Sequence, residues 1–107
     1  MIHVRVTRAG GIVSQVTVSG HAGSAPKGED LICSAVSALV QTFYFSLQRL
    51  LDLDVDADVS DGYLSVCIPG EVPAETQQKI TLLANSMLVG LDEINQSYPG
   101  FLKIQEE

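Results

Sequence analysis

The sequence is short of positive charge. Six Lys and Arg stand against thirteen Asp and Glu in 107 residues, a formal net charge of -7. That balance argues against nucleic acid as the main partner, because phosphate contacts need clustered Lys and Arg. It suits a basic partner instead, since an acidic surface speeds the encounter with a Lys- or Arg-rich peptide. Cysteine is equally scarce. Cys33 and Cys67 lie far apart, so both are expected to be free thiols in a reducing cytoplasm. No stretch approaches the ~18–20 apolar residues of a membrane span. The first residues, Met1 to Arg8, alternate polar and apolar rather than forming a secretory leader. No membrane partner is therefore expected. Linkers and internal repeats are missing too, and 107 residues are enough for one domain, 1–107, and too few for two ordinary ones.

What is present is a patterned, apolar-rich chain. Ile2, Val4 and Val6 alternate with His3, Arg5 and Thr7, which predicts a half-buried strand with His3 on the surface. Ala9-Gly10-Gly11 turns the chain, and residues 12–20 return as a second strand with Val16 and Val18 inward. This hairpin delivers Gly20 and His21 to one end of the sheet. A small-residue loop, 22–28, is expected to be mobile. A helix over about 29–51 follows, with Ile32, Val36, Leu39, Phe43, Leu47 and Leu50 at helical spacing. Glu29 and Asp30 fall at the positive end of its dipole. The cluster Phe43-Tyr44-Phe45 with Leu47 predicts two buried faces.

Residues 52–59 alternate Asp with Leu53, Val55, Ala57 and Val59, which predicts a strand with those four inward and an outer ladder of carboxylates. An EF-hand would need its glycine and distant glutamate at set offsets, so the ladder is read as a solvated face that resists edge-to-edge pairing. Ser60-Asp61-Gly62 turns into a strand over 63–68. A second helix opens around 71–75, with Ile80, Leu83, Met87, Leu91 and Ile94 as its buried stripe. Phe101, Leu102 and Ile104 form a last short strand, and Gln105-Glu106-Glu107 is read as a tail. The fold class is α+β: an antiparallel or mixed sheet covered by two helices, in the order ββαββαβ.

The stretch from Gly20 to Ser37 gathers the candidate chemistry. A nucleophilic cysteine must be a thiolate, and a helix start or a nearby imidazole favours that form. Cys33 falls in the first turn or so of the first helix, and His21 ends the preceding strand. Packing of strand against helix would bring imidazole to thiol. Ser37, four residues after Cys33, shares its helix face. Its hydroxyl either bonds back to a carbonyl or serves the imidazole or a substrate carbonyl. Asp30 either caps the helix or orients His21. First-turn amides, that of Cys33 included, are candidates for binding an oxyanion. Gly20 would allow close approach to the main chain. Cys67, in a strand without dipole or base, reads as inert. Zinc would need four closely spaced ligands, whereas His3, His21, Cys33 and Cys67 are scattered singly. A phosphate loop would not open its helix with Glu29 and Asp30. No metal and no cofactor are expected.

Gly20-His21-Ala22, then Gly28-Glu29-Asp30, Cys33 and Ala35-Val36-Ser37-Ala38-Leu39 resemble the signature of the ribosomal-processing cysteine protease family, Prp. The similarity extends from the first hairpin to the Tyr98-Pro99 turn. It implies a homodimeric α+β endopeptidase that removes an N-terminal extension from a large-subunit ribosomal protein during ribosome assembly. His21 and Cys33 match the family's catalytic dyad, and Gly20, Asp30 and Ser37 match positions tied to its site. Loop 22–28 matches a segment that orders over substrate. Ser34 departs from the expected alanine. Two other functions compete: a non-catalytic, chaperone-like holder of a ribosomal protein, and a redox-sensing thiol at Cys33.

Overall fold

The computed structural model describes residues 1–21 and 30–107. The expectations for loop 22–28 and Glu29 lie outside the described residues. The elements are β1 (Ile2–Ala9), β2 (Ile12–Ser19), α1 (Leu31–Leu50), β3 (Asp56–Ser60), β4 (Tyr63–Cys67), α2 (Ala74–Ser97) and β5 (Leu102–Glu106). The order ββαββαβ is that expected. One five-stranded sheet runs β3-β4-β2-β1-β5. It is mixed, because β5 pairs parallel to β1 while the other pairs are antiparallel.

Burial follows the two periods of the sequence. Ile2, Val4 and Val6 are buried while His3 and Arg5 are exposed, as alternation on a one-sided sheet requires. The helices cover that side with Ile32, Val36, Val40, Phe43 and Leu47 of α1 and Ile80, Ala84, Met87 and Leu91 of α2. Each fully buried aliphatic side chain of this kind contributes about 1.5–3 kcal/mol. The helices meet closely at Gly90, where a Cβ would fall 2.9 Å from the Leu39 methyls. By length and composition α1 is apolar enough to cross a membrane, and its Ile32, Val36, Val40, Phe43, Tyr44 and Leu47 are buried in this core.

Val16 and Val18 of β2 face the core as expected, Val16 buried and Val18 half-buried, and Val13 is buried beside them; other local expectations are corrected. Val13 joins that face through a shift of register beside Thr7 and Arg8, where Gln15 and Val13 are the successive partners. The intervening Ser14 donates its hydroxyl to the Thr7 carbonyl, and a bulge of this kind reverses the alternation. Within α1, Phe45 is exposed beneath the Arg49 guanidinium, and Leu50 is exposed. The segment after α1 is not yet strand at Leu53. The chain first reverses at Asp52, in the left-handed region with φ 54, and Leu53 donates its N–H back to Leu47. Only Ala57 and Val59 of the expected inward set belong to β3, and both are exposed. Being at the sheet edge, β3 lies past the cover of the helices. The tail is also strand: Gln105 and Glu106 pair with β1, and Glu107 donates its N–H to Val6. Arg5 and Arg8 hold Glu107 and Glu106 by ion pairs.

Candidate functional site

The end of β2 and the start of α1 converge on one cavity of about 240 Å³. Gly20, His21, Cys33 and Ser37 all line it. Its other walls come from Val36, Val40 and Gln41 of α1 and from the β3–β4 hairpin, Val59 to Leu64. A thiol and an imidazole therefore face the same space although eleven residues separate them in sequence.

Two glycines fix the histidine. Gly20 has φ +90, and a Cβ there would collide with the Met1 carbonyl oxygen. Its N–H donates to the Gly62 carbonyl at 2.9 Å. Gly62 itself has φ +71, and a Cβ there would fall 2.8 Å from His21 Nε2. The imidazole thus rests against the bare backbone of the β3–β4 turn, a position open to glycine for both conformation and space. His21 is otherwise exposed.

Cys33 is half-buried and free. Its place is set by Asp30, which is the N-cap of α1 with φ -79 and ψ 96. The Asp30 Oδ1 accepts the Cys33 N–H at 3.0 Å, and the Asp30 carbonyl accepts both the N–H and the hydroxyl of Ser34. A cap of this type contributes about 0.5–2 kcal/mol. Asp30 therefore caps the helix. The same bond corrects one expectation: the Cys33 amide is occupied and does not stand free for an oxyanion. Ser34, the departure from the family pattern, turns its hydroxyl back to the helix start.

Ser37 does not follow the back-bonding of some other helix hydroxyls. Ser34, Thr42 and Thr81 each donate to a carbonyl four residues earlier. Ser37 makes no such bond among the described residues and lines the cavity. Gln41 was not singled out from the sequence. Its signal was there, because Cys33, Ser37 and Gln41 recur every four residues and so share one helix face. The hairpin wall was missed for another reason: Ser60-Asp61-Gly62 reads as an ordinary turn until the strand order places it beside β2.

Cys67 stands apart, exposed at the end of β4 opposite Gln15 and Asp56. Among the described residues no group of three or more His, Cys, Asp or Glu could hold a metal ion. The cavity thus offers a thiol, an imidazole, a hydroxyl and an amide side chain, the set that nucleophilic acyl transfer uses.

The family profile described as cysteine protease Prp matches residues 1–103. The ribosomal processing cysteine protease Prp of Bacillus subtilis (strain 168) is 31% identical, over 94% of this chain and 91% of that protein. Among solved structures, the essential ribosomal processing protease Prp of S. aureus, in complex with a covalently linked product peptide, superposes with a TM-score of 0.85. It is 25% identical, and all of both chains is covered. SMU.848 of Streptococcus mutans superposes with a TM-score of 0.76 at 29% identity, over 99% of this chain and 93% of that one. The chain belongs to the Prp family of ribosomal-processing cysteine proteases.

Proposed function

We propose that this chain is a cysteine endopeptidase that removes an N-terminal extension from a large-subunit ribosomal protein during ribosome assembly. The observation that carries the chemistry is the shared cavity of Cys33 and His21. His21 takes the thiol proton, and the Cys33 sulfur attacks the scissile carbonyl carbon. The C–O π electrons move to oxygen, giving a tetrahedral oxyanion. Collapse expels the amine, which takes the proton back from His21, and leaves a thioester on Cys33. His21 then removes a proton from water, hydroxide adds to the thioester, and the acid product leaves with Cys33 restored.

The start of α1 assists, because the positive end of a helix dipole favours negative charge. With the Cys33 amide held by Asp30, the oxyanion needs other donors. The Ser37 hydroxyl and the Gln41 side-chain amide line the same cavity and supply them in this proposal. Gly20 and Asp30 position the dyad from either side.

Kinship supports the substrate class: the S. aureus relative, a ribosomal processing protease, was crystallised with a covalently linked product peptide. The net charge of -7 fits a basic ribosomal segment. The proposal extends to a cytoplasmic homodimer. Leu82 and Val89, seven residues apart on α2 and both exposed, are the apolar positions that support a second copy. The test is to mix the chain with the extended ribosomal protein precursor of its own organism and weigh the products. A mass loss equal to the extension is expected. Tight binding of an uncut precursor would contradict the proposal and favour the chaperone-like holder.

A further inference from the structure

The free edge of β3 leads directly into the cavity. Among the described residues β3 is the outermost strand of the sheet, and all five of its residues are exposed. The direction of its main-chain groups follows from one bond. Gly20 donates to the Gly62 carbonyl, so Gly62, Leu64 and Val66 turn their main chain toward β2. Tyr63, Ser65 and Cys67 then turn theirs toward β3, where their partners are Ser60, Asp58 and Asp56. By alternation, the N–H and C=O groups of Ala57 and Val59 point away from the sheet, open to another strand.

The side chains alternate as well. Ala57 and Val59 stand opposite the buried Val66 and Leu64, on the helix-covered side. Val59 is 55% exposed and forms part of the cavity wall. Asp56 and Asp58 lie on the other face. The described ion pairs, Arg5–Glu107, Arg8–Glu106 and Lys79–Glu75, engage neither of them. A second copy fits this edge poorly, because like charges would face each other across the new ladder. An extended basic peptide fits it in both main chain and charge.

We infer that the free edge of β3 holds the substrate as an added strand, with Ala57 and Val59 supplying main-chain hydrogen bonds and Asp56 and Asp58 selecting basic side chains. This rests on the proteolytic function proposed above and adds its sequence preference. Residues beside Ala57 and Val59 are apolar and face the cavity side. Residues beside Asp58 and Asp56, two and four positions from the one opposite Ser60, are Lys or Arg. Four steps of strand span about 13 Å, so the charges are read outside the cavity. The same aspartates repel acidic chains, including another copy.

The test uses two eight-residue peptides, one alternating valine and lysine and one alternating valine and serine, added to the Cys33→Ala variant. Amide hydrogen exchange at Ala57 and Val59 is expected to slow with the lysine peptide. That peptide is expected to bind about tenfold tighter than the serine peptide, and the Asp56→Asn, Asp58→Asn double variant is expected to lose this preference. Ala57→Pro removes an outward N–H while sparing the β3–β4 ladder, and is expected to weaken binding about three- to tenfold. Unchanged exchange at Ala57 and Val59, or a double variant that keeps the full lysine preference, would overturn the inference. Precursor cleavage by the unmodified chain is followed in parallel. Cleavage with a silent β3 removes the docking edge and keeps the protease. Protection of β3 with an uncut precursor keeps the edge and removes the protease.

Discussion

Cys33 and Cys67 are the same side chain in two settings. Both are free, and Cys67 is the more exposed. Exposure alone would make Cys67 the reactive thiol. What Cys33 has is surroundings. It stands at a capped helix start and shares a cavity with His21 and Ser37, while Cys67 ends a strand opposite Gln15 and Asp56. Nucleophilic character comes from a neighbouring base and a favourable local field, with access needed only by the substrate.

The comparison can be broken at several points. The largest effect is expected for Cys33→Ala, which removes the proposed nucleophile and should lower precursor cleavage by about 10⁴-fold or more. Quantitative mass spectrometry of the products measures it. Gly62→Ala comes next. Its Cβ would sit where the imidazole now rests, so His21 must move. If His21 is the base as proposed, a displacement near 1 Å costs up to about 100-fold, and kcat is expected to fall by roughly ten- to 100-fold. A smaller change is expected for Asp30→Ala. Losing the cap should destabilise the fold by about 0.5–2 kcal/mol, a drop of several degrees in Tm for a chain of this size, read by thermal unfolding. Cys67→Ser should shift stability by less than about 0.5 kcal/mol and leave cleavage at the parent rate.

Much of the fold was legible because periodicity and punctuation agreed. The element order, both helices and the buried stripe of β1 follow from alternation and helical spacing. The errors cluster where a local event overrides the period. Asp52 delays the start of β3, and β5 runs on through Gln105 and Glu106 because their main chain pairs with β1. Burial of Ala57 and Val59 was misjudged since strand pattern says nothing of sheet position, and an edge strand has no helix above it. At the site, the pairing of His21 with Cys33 was suggested by strand and helix ends. The occupied Cys33 amide was not, because Asp30 as cap and Asp30 as orienting group have the same sequence signature. The role of Gly62 depends on a contact between chain segments 41 residues apart, which no local motif encodes.

The rate of iodoacetamide alkylation at each cysteine, read by peptide mass mapping in the parent chain and in His21→Ala, tests the dyad most directly. Cys33 is expected to react faster than the more exposed Cys67, and to lose that lead when His21 is removed. Faster labelling of Cys67 in the parent, or a Cys33 rate unchanged by His21→Ala, would contradict the pairing of thiol and imidazole.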